Sequence, residues 1–88
     1  MGAIYDRCKT QVKAIEQAYD ALMEEIDAYD RVLSELGGDD EELRIALSMQ
    51  ANGLGKLRDT LEGEALDNLI RFSDRVIRLK HWEDGMFV

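Results

Sequence analysis

Proline is absent from the 88 residues. Nothing in the chain therefore forbids long, uninterrupted helix, and the residues that fill it (Ala, Leu, Glu, Asp, Arg, Ile) mostly favour or tolerate that state. The single cysteine, Cys8, excludes an intrachain disulfide framework and any zinc site built from several thiolates. The single histidine, His81, excludes a carboxylate-bridged di-iron bundle. Such a bundle needs Glu-x-x-His pairs on facing helices, and the residue three before His81 is Arg78. There is no long apolar run and no signal-peptide core, so a cytoplasmic chain that neither spans nor binds a membrane is expected. The start Met1-Gly2-Ala3-Ile4-Tyr5-Asp6 has the glycine of a myristoylation signal but Asp6 where Ser or Thr is needed, so no lipid anchor is expected.

Bases are also scarce. Eleven Lys and Arg stand against nineteen Asp and Glu, a net charge of −8. The imbalance is confined to one half: residues 1–42 hold twelve acids and four bases (net −8), and residues 43–88 hold seven of each (net zero). A chain of this kind is repelled by nucleic acid and anionic lipid and attracted to basic surfaces.

What the sequence does contain is helical periodicity. Tyr5, Cys8, Val12, Ile15, Tyr19, Leu22, Ile26, Tyr29, Leu33 and Leu36 step by three and four without a slip, the signature of a helix lying along another helix with coiled-coil-like packing. A helix over residues 3–36 is predicted. Ile4, Ala18, Met23 and Val32 lie beside this seam and widen it, which suits a bundle in which the helix touches two neighbours. Three of the seam residues are tyrosines, whose hydroxyls need a partner or a rim.

Gly37-Gly38 follow the last periodic residue and end the helix. Asp39-Asp40-Glu41-Glu42 then supply an N-cap and acids for the first turn of a second helix. So short a turn sends the second segment back antiparallel. That segment is predicted over residues 40–82, with a seam of Leu43, Leu47, Leu54, Leu57, Leu61, Ala65, Leu69, Phe72, Val76 and Leu79. Its step Leu61–Ala65–Leu69 is four and four, a stutter expected to relax supercoiling locally. Asn52-Gly53-Leu54-Gly55 is turn chemistry and is the expected place for a kink or break at 52–55; Gly63 is the other weak point. The expectation is all-α: an antiparallel helical hairpin or three-helix bundle, a single domain over 1–88 with residues 81–88 as a non-helical or fraying apolar tail. A chain of this length buries only about 60–65% of its unfolded surface, and self-association is a common remedy.

Motifs that would carry chemistry are few. The Ile26-Asp27-Ala28-Tyr29-Asp30 stretch within residues 22–33 resembles the opening helix of the helical chorismate mutases. Gly37-Gly38-Asp39-Asp40 stands where that resemblance implies substrate-binding bases. Asp39-x-x-Glu42 and Glu64-x-x-Asp67 are similar to the paired carboxylates of all-helical MazG-type nucleotide pyrophosphohydrolases, which implies magnesium held against a triphosphate. In those enzymes the first position is Glu rather than Asp. The acidic run at 39–42 lacks the alternating ligands and central glycine of a calcium loop. Cys8 on the seam reads as a space-filling thiol. No catalytic residue, metal ligand or cofactor site is assigned.

Two surface features remain. Asp27, Asp30, Glu35, Asp39, Asp40, Glu41 and Glu42 gather at the turn end as an acidic tip, while Arg7, Lys9, Lys13, Arg71, Arg75, Arg78 and Lys80 gather at the opposite end. Local pairs such as Asp27–Arg31 are expected within the helix. Trp82, Met86, Phe87 and Val88 form an apolar tail suited to covering the bundle end or docking on a partner. The functional expectation is a non-enzymatic interaction protein that forms a homo-oligomer (a dimer), docks on another protein with a basic surface, or does both. The alternative is an acidic inhibitor, a nucleic-acid mimic of the antitoxin or phage anti-defence type.

Overall fold

The computed structural model describes residues 3–86 and is all-α. Helix α1 runs Ala3–Glu35, α2 runs Glu41–Thr60, a π-helical segment spans Leu61–Ala65, and α3 runs Leu66–Met86. The second arm (α2, the π segment and α3) folds back along α1 as an antiparallel hairpin, 71 × 18 × 11 Å across its Cα atoms.

The turn forms as the residue types dictate. The Leu36 amide still donates to the Val32 carbonyl, closing α1, and the two glycines follow. Asp40 is the N-cap of α2, with extended backbone (φ −71°, ψ 118°). Its Oδ1 accepts from the amides of Glu42 at 3.0 Å and Leu43 at 3.4 Å. Glu41 and Glu42 occupy the first turn, where negative charge meets the positive end of the helix.

The kink lies elsewhere than expected. Helix α2 passes through Asn52-Gly53-Leu54-Gly55 without interruption, and the backbone leaves helical geometry at Gly63 instead (φ −93°, ψ −105°). The heptad spacing explains why. The residues turned toward α1 are Leu47, Leu54 and Leu61, then Leu69, Val76 and Glu83. Each interval is seven except Leu61 to Leu69, which is eight. There is no register error at 52–55 for a break to relieve. Between Leu61 and Leu69 one residue is surplus, and a π turn, which takes up an extra residue per turn, absorbs it. The stutter therefore becomes a local bulge rather than a gradual unwinding.

The end of the second arm also differs from expectation. Residues 81–86 are helical, continuing α3 to Met86, while Phe87 and Val88 lie outside the described residues. The helix continues because Glu83 has a structural task. Its side chain is only 6% exposed. Its Oε1 accepts from the backbone amides of Ile4 at 2.7 Å and Tyr5 at 3.1 Å, capping α1 from the other end of the sequence.

The core is thin. Among the described residues only Ile26, Leu33 and Val76 are buried apolar side chains, and none is fully enclosed. The radius of gyration is 20.0 Å, against about 12 Å for a compact domain of this length. The accessible surface is 7072 Å², whereas a folded monomer of this mass exposes about 5,200 Å².

Candidate functional site, an exposed apolar face

The seam of α1 splits in two. Tyr5, Val12, Tyr19, Ile26 and Leu33, spaced by seven, are buried or half-buried against the second arm. Ile15, Leu22, Tyr29 and Leu36, also spaced by seven, are exposed, and Cys8 at the start of that row is half-buried. Behind them lie Ile4, Ala18 and Val32, likewise exposed. The exposed row reads Ile4, Cys8, Gln11, Ile15, Ala18, Leu22, Glu25, Tyr29, Val32, Leu36, a second unbroken three-four series. Helix α1 thus carries two heptad seams side by side, one used by its own chain and one turned to solvent.

The second arm extends that face. Cys8 and Val12 of α1 line one groove, about 350 Å³, together with Phe72, Arg75, Val76 and Leu79 of α3. Toward the turn, the Tyr29 hydroxyl donates to Gln50 Oε1 at 2.8 Å, which places Gln50 on the same side. One heptad on either side of Gln50 stand Leu43 and Leu57, both exposed. The π segment keeps the row in line: Leu43, Gln50 and Leu57 are followed, after the inserted residue, by Ala65, Phe72 and Leu79. Phe72 is 57% exposed. The face therefore runs most of the length of the molecule across both arms.

The opposite face is polar. Asp27 is ion-paired with Arg58 across the hairpin, the only such pair among the described residues, so the Asp27–Arg31 pair expected within α1 is not formed. Arg58 sits four residues after Leu54 on the flank that faces Asp27, and the pair links the two arms at an exposed site, worth no more than about 1 kcal/mol. The Ser73 hydroxyl donates to Glu16 Oε1 on the same side. A smaller groove there, about 220 Å³, is lined by Tyr5, Lys9, Val12, Lys13, Glu16, Ser73, Val76 and Ile77. The exposed Ile77 lines this groove, and the exposed Ile70 lines a neighbouring one of about 430 Å³ with Tyr19, Leu66 and Leu69. No family model, curated protein or solved structure matches the chain. The geometry of these two faces is therefore the basis for a functional reading.

The acidic tip residues occupy the turn end, all exposed: Asp30 and Glu35 near the end of α1, and Asp39, Asp40, Glu41 and Glu42 at the start of the second arm. Asp27 and Asp40 are already engaged, one by Arg58 and one as an N-cap. At the other end the ammonium groups of Lys9 and Lys80 lie 5.6 and 5.9 Å from the centre of the Tyr5 ring, within cation–π range. Trp82 is exposed on α3, displayed by a helix rather than a free peptide. Met86 ends that helix.

The structure does not bring the two carboxylate pairs together. Asp39 and Glu42 lie at the turn, whereas Glu64 and Asp67 lie mid-molecule, about 33 Å further along the arm at the helical rise. Among the described residues no cluster of His, Cys, Asp or Glu fit to hold a metal ion is found, and no helix is long and apolar enough to cross a membrane. Sequence reasoning missed Glu83 and Arg58 as structural residues. The signal for Glu83 was its spacing: it falls seven after Val76, a polar residue at a seam position.

Proposed function

We propose that this chain is a non-enzymatic helical interaction protein that works by laying its apolar face against another helical surface. The observation that carries the reading is the second heptad seam on α1, exposed from Ile4 to Leu36 and extended by Leu57, Phe72 and Leu79 on the second arm. A solvent-facing helix has no need of a three-four series in which eight of ten positions are apolar, Gln11 and Glu25 being the exceptions, and apolar surface on this scale marks an association site. The accessible surface exceeds that of a compact monomer of this mass by roughly 1,800 Å², as an elongated hairpin with a thin core does, so much apolar surface is left for a partner to cover.

Hydroxyl-radical footprinting tests this directly. In the protein's native assembly, Leu22, Tyr29 and Phe72 are expected to be protected relative to the dilute purified chain. Ile45 and Met49, exposed on the outer side of α2, serve as internal controls. Equal reactivity of both sets in the native assembly counts against the reading.

A second reading is supported by the exposure of Glu35, Asp39, Glu41 and Glu42 at one end of a rod. Such an acidic tip suits a basic site on a nucleic-acid-binding protein, which the chain would inhibit by occupying it.

A further inference from the structure

We infer that the occupant of the apolar face is a second copy of this chain, stacked face to face and running antiparallel, so that two hairpins form a four-helix bundle with the acidic tip of each over the basic end of the other. The inference rests on the apolar face being an association surface and adds who covers it and in which direction.

Three observations carry it. The first is size. The two longer dimensions of the hairpin, 71 and 18 Å, give a face on the order of 1,200 Å² per chain, or roughly 2,400 Å² in total, within the range of obligate dimers. The second is pattern. A three-four seam on α1 and a matching row on the second arm are self-complementary: each offers the alternating knobs and holes that the other accepts. The isologous contact of a two-fold dimer needs that property.

The third is charge. Face-to-face stacking of a hairpin leaves two possible two-fold axes, one along its length and one across it. The lengthwise axis puts tip on tip and base on base. The crosswise axis puts Arg7, which lines a pocket with Ile4 and Cys8, and Arg75, which lines the apolar groove, over the half of the other copy that carries Glu25, Glu41 and Glu42. Like charges rim the first arrangement and opposite charges rim the second. In the crosswise arrangement α1 stacks on the other α1 with Ile15 and Leu22 near the axis.

The experiment combines molecular mass with distance. Light scattering on the full chain at tens of micromolar is expected to give a dimer. A Cys8→Ser, Ser34→Cys chain puts a spin label near the tip, and Ser34 is exposed. The antiparallel dimer separates the two labels by about 45 Å, counting the helical rise from Tyr19 on each copy, whereas a tip-on-tip dimer holds them within about 25 Å. In the unlabelled native chain the two Cys8 thiols lie about 33 Å apart in the antiparallel dimer, so mild oxidation gives no interchain disulfide.

Charge variants at exposed positions leave the hairpin intact and supply an independent check. Arg7→Glu with Arg75→Glu is expected to raise the dimer dissociation constant at least about tenfold at low salt, as is Glu25→Arg with Glu42→Arg. Mixing the two chains should restore dimers. A dimer with the short label distance, or with a Cys8 disulfide, overturns the antiparallel arrangement and leaves the apolar face as the contact. A monomer at these concentrations overturns self-association. If that monomer still binds bis-ANS, and Leu22→Asp with Phe72→Asp abolishes the binding, the face remains a docking surface for a different protein. If those substitutions change nothing, the association reading fails as well.

Discussion

The Tyr19 hydroxyl donates a hydrogen bond of 2.8 Å to the Leu61 carbonyl oxygen, 42 residues away and at the start of the π segment. The Leu61 carbonyl also accepts from the Leu66 amide, the wide bond of the π turn, so the tyrosine on the facing arm adds a second donor to that oxygen and ties the bulge to α1. The bulge and the tyrosine that supports it form one device, which lets an arm with a surplus residue lie in register on an arm without one.

That relationship predicts how the two glycine regions respond to deletion. Removing Gly63 should restore an unbroken seven-residue spacing from Leu47 to Glu83 and leave a folded hairpin with unchanged or higher denaturation midpoint. Removing Gly53 should turn Leu47, the inward-facing leucine before the deletion, away from α1 by about 100° relative to the rest of the arm. The loss is about 1–2 kcal/mol, the burial of the half-buried Leu47. Urea denaturation of the two deletions, side by side, measures the difference; equal losses would show that the register argument is wrong.

Tyr19→Phe should cost about 1 kcal/mol, since the ring stays half-buried and only the hydroxyl contact is lost. In the Gly63 deletion, where the π turn is gone, the same substitution should cost much less. A double-mutant cycle by thermal denaturation reads this coupling.

Glu83→Ala should destabilise by about 1–2 kcal/mol, because the amides of Ile4 and Tyr5 lose their acceptor at the end of α1. Glu83→Gln keeps an acceptor and gives up only the charge, so its cost should be about 0.5 kcal/mol. Amide hydrogen exchange offers a local readout: protection at Ile4 and Tyr5 should fall in the alanine variant and persist in the glutamine one.

At the turn, Asp40→Ala removes the N-cap of α2 and should cost about 1 kcal/mol. Glu41→Gln and Glu42→Gln, which make no capping bond, should each change stability by no more than about 0.5 kcal/mol.

If the acidic tip is a mimic of nucleic acid, reversing Asp39, Glu41 and Glu42 to Lys should abolish inhibition of a basic partner. Wild-type binding to that partner should then fall steeply as salt rises toward 0.5 M. Binding that survives both treatments removes this reading.

Much of the architecture was legible from residue order. The three-four series from Tyr5 to Leu36 fixed α1 to within a residue at its C-terminal end, and Gly37-Gly38 with Asp40 fixed the turn, because capping and periodicity are local properties. The width of the α1 seam leaves room for two neighbours, of which the returning arm supplies one. Helical continuity in the second arm was harder to read. Local propensity singled out Asn52-Gly53, yet the seam runs straight through it. The surplus residue between Leu61 and Leu69 mattered more than the turn chemistry, because packing outweighs glycine costs of about 1 kcal/mol each.

The sequence by itself determined that this protein is helical, that it doubles back after Leu36, and that its charge is divided between two ends. All three follow from spacing and residue type along one chain. Only the tertiary structure decided which half of the α1 seam is covered and which is left to solvent, since that depends on where a single returning arm lies on a stripe wide enough for two. It also decided the roles of Glu83, Arg58 and Tyr19. Their partners Ile4, Asp27 and Leu61 are distant in sequence and adjacent only once the arms close, so no local pattern could announce them.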